Sequence, residues 1–262
     1  MDLHLEGKRA LITGSSSGVG RAVADRLAKE GCIVLIHGRH EQPCEDVASE
    51  IRAQGGTATI VLGDLTDPAA VVEVGERALE HGVDILVNNA GPFSEHSWDR
   101  VSPSDWIQSY QGNVVSAASL IRQLTPMMRE RSWGRVINIG SRAVVSPLEN
   151  MVDYSAAKAA VLNLTSSLAK SLAHSGVTAN CVSPGVILTE SLERMFSERE
   201  DSTAEASKDS EPDAMADYAP NPTGRLGRPE DIATAIAYLA SPLAGYINGA
   251  NLPVDGGITG AV

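Results

Sequence analysis

The stretch Arg9-Ala10-Leu11-Ile12-Thr13-Gly14-Ser15-Ser16-Ser17-Gly18-Val19-Gly20-Arg21 decides the fold. Arg9–Thr13 reads as a buried strand, and a glycine-rich turn follows it. Val19, Val23 and Leu27, spaced by four, then place an apolar stripe on one face of a helix. Each glycine has a physical reason. Gly14 permits a tight turn without a Cβ clash. Gly18 lets backbone N–H groups approach a pyrophosphate, and Gly20 lets the helix pack closely on the strand. The helix N-terminus presents its positive end to an anion at this point. The spacing is GxxxGxG, not the commoner GxGxxG. Taken alone it also fits a plain structural turn, but the strand–turn–helix setting favours dinucleotide binding by Gly14, Ser16, Ser17, Gly18, Val19 and Gly20.

The same rhythm continues along the chain. Short runs rich in Val, Ile and Leu occur at Arg9–Thr13, Ile33–His37, Ala58–Leu62, Asp84–Val87, Arg135–Ile139, Val177–Val182 and Asn251–Val254. Near-continuous apolar strands are expected where both faces of a sheet are covered. Helical stretches lie between them; in Asp153–His174, Val161, Leu164, Leu168 and Leu172 share one face. Strand–helix alternation predicts parallel strands joined by right-handed crossovers. The expected fold is therefore a single doubly wound α/β Rossmann domain over residues 1–262, with a seven-stranded parallel sheet and helices on both faces. No internal repeat or linker divides the chain.

Composition excludes several classes of function. Of the 262 residues, 43% are apolar and 21% charged, as in a soluble globular protein. The formal net charge of −12 argues against nucleic acid and against anionic lipid. No apolar run approaches the roughly 18 residues of a membrane span. The charged start, Met1 to Arg9, is not expected to be a secretory leader. Cys32, Cys44 and Cys181 form no CxxC pair and no disulfide framework. They are expected to be packing or surface residues of a cytoplasmic protein, with no metal site. One segment departs from the rest: Ser197–Asp217 carries eight acids and two bases, half of the net charge. It reads either as a solvated surface insertion or, over 190–218, as a lid above a binding cleft.

At the end of the second strand, NAD binders carry a carboxylate that accepts from the adenosine ribose hydroxyls. Here the residues are His37-Gly38-Arg39-His40. Gly38 removes the acid, and the Arg39 guanidinium can grip a phosphate bidentately. The expected cofactor is NADP(H), preferred over NAD(H). Ser17, in the glycine turn, brings no charge, which leaves Arg39 as the main phosphate contact.

Tyr154-Ser155-Ala156-Ala157-Lys158 puts a phenol and an ammonium one helical turn apart. A nearby cation favours phenolate, so the pair makes a tuned acid/base. The pattern alone also fits a surface Tyr–Lys pair. It does not stand alone: Arg135–Ile139 leads to Ser141, thirteen residues before Tyr154, and Asp84–Val87 leads to Asn88-Asn89-Ala90-Gly91. Polar groups at the carboxyl ends of parallel strands face the ligand crevice. Asn113 lies in a helical stretch between these strands.

Together these motifs resemble the short-chain dehydrogenase/reductase family, in the branch that holds bacterial 3-oxoacyl-carrier-protein reductases, across nearly the whole chain. Thr13–Gly20 is similar to the family's TGxxxGxG, Asn88–Gly91 to its NNAG, and Val254-Asp255-Gly256-Gly257 to its C-terminal signature. The resemblance implies that Asn113, Ser141, Tyr154 and Lys158 are catalytic. It also implies that Asp64 and Leu65 hold the adenine and that Asn89, Ala90 and Gly91 lie along the cofactor. Pro184, Gly185, Val186 and Thr189 would then contact the nicotinamide end. Ser141 is expected to bind the substrate carbonyl and Tyr154 to protonate it. Lys158 is expected to hold the ribose and lower the Tyr154 pKa, and Asn113 to fix a helix irregularity and a water. Asn89 is expected to serve the scaffold.

Substrate is expected near Ser141, Val144, Met151 and Tyr154, with Ser94, Ala143, Leu148 and Val186 close by. These mostly apolar residues favour a hydrophobic ketone or an acyl thioester. The implied function is NADPH-dependent carbonyl reduction by a homotetramer. An NAD-linked secondary alcohol dehydrogenase is the alternative within the enzyme class. A non-catalytic nucleotide-binding regulator is the alternative outside it, although such proteins typically lose the Tyr or the Lys.

Overall fold

The computed structural model describes residues 1–190, 192–194 and 219–260. Among these residues there are seven strands: β1 (Arg9–Ile12), β2 (Ile33–Gly38), β3 (Thr57–Leu62), β4 (Ile85–Asn88), β5 (Gly134–Ile139), β6 (Val177–Pro184) and β7 (Asn251–Val254). They form one sheet in the order β3-β2-β1-β4-β5-β6-β7, and every pairing is parallel. The expected doubly wound α/β domain is thus observed. Helices α1 (Gly18–Lys29), α2 (Glu41–Ala53), α3 (Pro68–Glu80), α4 (Pro103–Tyr110), α5 (Ser116–Glu130), α6 (Val152–Ser171) and α7 (Pro229–Ala240) cover it.

The strands are largely apolar because alternate side chains enter two separate cores. Ile12, Val34, Ile36, Val87 and Ile137 pack with Val23 and Leu27 of α1 and with Ile232 and Ile236 of α7. Leu11, Leu35, Leu86 and Val136 point the other way, against Val74 of α3 and Leu120 and Leu124 of α5. Cys32, Cys44 and Cys181 are all buried and free. No described helix is long and apolar enough to cross a membrane.

Boundaries differ from the sequence reading in instructive ways. The strand from Val177 continues to Pro184, because β7 pairs with it as far as Val254. Asp84 lies outside β4: its carboxylate accepts from the Arg9 N–H at 3.0 Å and pairs with Arg131 at 3.1 Å. Helix α6 ends at Ser171, and His174 beyond it takes φ 61°. Most of the proposed lid, 190–218, lies outside the described residues.

The chain winds from β1 outward to β3, then crosses back to β4 on the other side of β1. This reversal opens a crevice between the loops after β1 and β4, where ligands of such sheets bind.

Candidate active site

The loops at the crevice are tied to one another before any ligand is considered. Thr13 Oγ accepts from the N–H groups of Asn89 (2.9 Å) and Ala90 (3.0 Å). Asn89 Nδ2 donates to the carbonyls of Thr13 (2.9 Å) and Gly14 (3.1 Å), so its side chain serves the scaffold. On the other flank, the Gly14 N–H donates to His37 Nδ1 (3.1 Å) and the His37 N–H to Ser15 Oγ (2.9 Å). Gly14 itself has φ 65°. A Cβ on Gly20 would lie 2.3 Å from the Gly14 carbonyl oxygen, so only glycine lets α1 start this close to the turn. Ser17 gives α1 no side-chain cap and the first turn holds no acid. The helix N-terminus therefore keeps donors and positive potential for an anion.

These loops enclose a cavity of about 530 Å³. Gly14, Ser16, Ser17, Gly18, Val19, Gly20, Arg39, Asp64, Leu65, Asn89, Ala90, Gly91 and Thr189 all line it. So do Phe93, Glu190 and Arg194, the last two from the 190–218 stretch expected to form a lid, and His37, Thr66 and Gly112, which the sequence reading assigned no binding role. For His37 a signal existed, since it stands at the carboxyl edge of the sheet, next to last in β2; for Thr66 and Gly112 none did. His37 is 2% exposed, and burial pushes its pKa from 6.5 down to about 4. Asp64 accepts from the Thr66 N–H (2.9 Å) and hydroxyl (2.7 Å). These bonds, with a smaller contribution from Arg39, hold its carboxyl below the usual range. Arg39 is exposed and has no ion-pair partner among the described residues.

Pro184, Gly185 and Val186 are held elsewhere. The Gly185 N–H donates to Val254 O (3.1 Å), and the Val186 carbonyl accepts from Gly227 (2.9 Å). Gly185 and Val186 therefore line a second cavity of about 320 Å³, with Thr223, Arg225 and Asp255. Pro184 lines neither cavity.

The four residues expected to be catalytic come from three elements. Asn113 sits in a π-helical turn, Gln111–Val115, between α4 and α5. Its amide donates to the carbonyls of Ser109 (3.0 Å) and Pro92 (2.9 Å), which anchors the turn to the loop after β4. Its Oδ1 is buried and has no hydrogen-bond partner among the described residues. Lys158 is 4% exposed and donates to the Ile139 carbonyl at 2.9 Å. Burial lowers its pKa from 10.5 to about 8, partly opposed by Cys181. Asn113 Oδ1 and Lys158 Nζ meet over Gly91, where a Cβ would lie 2.2 Å from the first and 3.3 Å from the second. Ser141, just past β5, is 9% exposed and its Oγ accepts from the Ala143 N–H (3.1 Å).

Tyr154 stands one turn before Lys158 on α6, with the ammonium 5.6 Å from its ring centroid. The Phe93 ring meets it edge-on at 6.3 Å. The phenol pKa is raised by burial and pulled back only in part by Ser141. This is opposite to the expected lowering by Lys158. The physical reason is that desolvation disfavours phenolate, while the same burial weakens the ammonium and the Ile139 carbonyl engages it. Val144 and Met151 are partly exposed near Ser141 and Tyr154, whereas Ala143, expected near substrate, is buried at 1%.

Comparison with known proteins places these features in context. The short chain dehydrogenase family profile matches residues 8–200. The chain is 37% identical to the uncharacterized oxidoreductase YvaG of Bacillus subtilis, over 100% of both chains. It is 35% identical to the 3-oxoacyl-[acyl-carrier-protein] reductase FabG of Vibrio cholerae, over 98% of this chain and 99% of that one. Among solved structures, L-sorbose reductase from Gluconobacter frateurii, complexed with NADPH and L-sorbose, is similar with a TM-score of 0.94 and 31% identity over 100% of both chains. A 3-oxoacyl (acyl-carrier-protein) reductase from Agrobacterium tumefaciens with NADP bound gives 0.88 and 33%, over 97% of this chain and 95% of that one.

Proposed function

Because this chain belongs to the short-chain dehydrogenase family and is an NADP-dependent oxidoreductase, we propose that it is a ketoreductase. It prefers NADPH to NADH and reduces the carbonyl of a hydrophobic ketone or 3-oxoacyl thioester. One observation supports this reading: Lys158 Nζ and Asn113 Oδ1 meet over Gly91, in the wall of the cavity that the glycine turn and Arg39 share, with the Tyr154 ring 5.6 Å from the same ammonium. The residues fit a dinucleotide. The uncapped start of α1 suits a pyrophosphate, and the unpaired Arg39 guanidinium suits a ribose phosphate. Bound NADPH supplies the hydride.

The chain's own residues handle the oxygen. Ser141 donates a hydrogen bond to the substrate carbonyl, and Tyr154 gives its proton to that oxygen as negative charge develops. Donors aimed at developing oxyanion charge are often the largest catalytic contribution. A phenol whose pKa is raised holds its proton at neutral pH, which suits the reducing direction. The Lys158 ammonium orients the ribose hydroxyls, and Asn113 Oδ1 is free to hold the water from which the proton is replaced. Phe93, 64% exposed beside Tyr154, supports an apolar substrate wall. Gly38 and Arg39 speak against the NAD-linked dehydrogenase.

Oxidation of NADPH and of NADH, followed at 340 nm over a panel of ketones and 3-oxoacyl thioesters, tests the reading. NADPH turnover in the wild type, lost in Tyr154→Phe with NADPH binding intact, is the expected result. Undiminished turnover in that variant removes Tyr154 from the chemistry, and a higher kcat/KM with NADH overturns the cofactor assignment. The same reading carries self-association as a homotetramer, supported by apolar side chains left exposed at Tyr238, Leu243, Tyr246 and Leu252. Light scattering on the purified chain tests that point.

A further inference from the structure

Helix α6 begins with a charged contact that the chemistry above leaves unused. Asp153, directly before Tyr154, has a side chain only 3% exposed. A buried carboxylate without a partner is strongly disfavoured. Its partner is His96, whose Nδ1 lies 3.3 Å from Asp153 Oδ1. Among the described residues, no other basic side chain pairs with Asp153. The backbone joins at the same place: the Val152 N–H donates to the His96 carbonyl at 3.1 Å, and His96 and Met151 form a parallel bridge.

The other face of the imidazole looks toward α4. His96 Nε2 lies 3.9 Å from Asp105 Oδ1. Asp105 closes the first turn of α4 by accepting from the Ser102 N–H (2.8 Å) and hydroxyl (2.7 Å). Helix α4 runs directly into the π turn that holds Asn113. One ring therefore touches the residue before the proposed acid and the helix that delivers Asn113. Its loop also carries Gly91 and Phe93, which line the cavity.

We infer that His96 is a positioning residue: through Asp153 and Asp105 it sets Tyr154 against Asn113 and the Gly91–Phe93 loop. The inference rests on Tyr154 being the proton donor. Nothing in the Tyr-Xaa-Xaa-Xaa-Lys spacing requires a histidine, so the device belongs to this chain's own residues. It acts on orientation, where a displacement of about 1 Å can cost on the order of 100-fold in rate.

The test uses the purified enzyme in four forms: wild type, His96→Ala, His96→Gln and the double variant His96→Ala with Asp153→Asn. His96→Ala is expected to lower kcat by about 10- to 100-fold, with the NADPH Kd, read by fluorescence, unchanged. His96→Gln, which keeps an N–H for Asp153, recovers most of the loss. The double variant is no worse than His96→Ala, because a neutral amide at position 153 no longer needs the partner. A second readout is independent of turnover: ultraviolet difference titration of the phenol, assigned by subtracting Tyr154→Phe. Its midpoint is expected to move in His96→Ala. A wild-type-like kcat and phenol midpoint in His96→Ala overturn the inference. A shifted midpoint in an enzyme that reduces no ketone upholds the positioning and sinks the ketoreductase reading instead.

Discussion

Lowering the pH from 7 to 4 charges a group that the nucleotide turn depends on. His37 is buried at 2%, and its Nδ1 accepts the Gly14 N–H at 3.1 Å. Protonation places a proton on that nitrogen, so the acceptor is lost and a charge is left in a buried site. The unfolded chain binds this proton near the ordinary value of 6.5, and the native chain only near about 4. Between these values the unfolded state holds more protons, so stability falls as pH falls. The contribution is complete above pH 6.5 and is lost on descending to 4. The difference corresponds to about 3 kcal/mol, enough to move a urea midpoint by about 1 M or more. The comparison is with His37→Asn, whose amide oxygen can accept from Gly14 without titrating. Urea midpoints of both proteins at pH 7, 5.5 and 4.5 isolate the histidine from the many carboxylates. Wild type is expected to lose stability more steeply than the variant. Equal slopes would refute the assignment of a neutral His37 that holds the turn.

Three further outcomes are expected. Arg39→Ala raises the KM for NADPH by about 10- to 100-fold, the value of a lost charge-assisted contact of about 1.5–3 kcal/mol, and leaves the KM for NADH nearly unchanged. In the wild type, kcat/KM for reduction declines as pH rises through about 8, where Lys158 loses its proton; the pH–rate profile measures it. Gly91→Ala drives a methyl group to 2.2 Å from Asn113 Oδ1. It is expected to cost about 1–3 kcal/mol of stability by overpacking and most of the turnover, read by thermal melting and by steady-state kinetics.

All seven strands were legible in the sequence as short apolar runs, the inner ones because they are covered on both faces and so cannot alternate in polarity, while at the edge β7 leaves Leu252 and Pro253 exposed. The glycine turn, Asn88–Gly91 and Ser141 were legible for a related reason: each begins where an apolar run ends, at the carboxyl edge of the sheet. What the sequence could not convey depends on contacts between distant segments. The Tyr154–Lys158 spacing placed the phenol near an ammonium, but the direction of its pKa is set by desolvation, which the Ser141 hydroxyl offsets only in part. The π turn at Asn113 depends on a carbonyl at Pro92, twenty-one residues away. Gly185 and Val186 follow a strand end, as cofactor contacts often do, yet pairing with β7 turns them toward another cavity. His96 and Asp153 are 57 positions apart, and neither belongs to a motif.

The three sealed thiols offer a built-in clock. Burial drives the Cys32 pKa up to about 12 and raises those of Cys44 and Cys181, so the native protein presents almost no thiolate to a maleimide or a disulfide dye. Labelling must wait for local opening. Cys181 packs beneath Gly140, next to Lys158, while Cys32 and Cys44 sit on the nucleotide-binding half of the sheet. Mass spectrometry of the order in which they react would therefore time the two halves of the molecule separately, without any engineered probe.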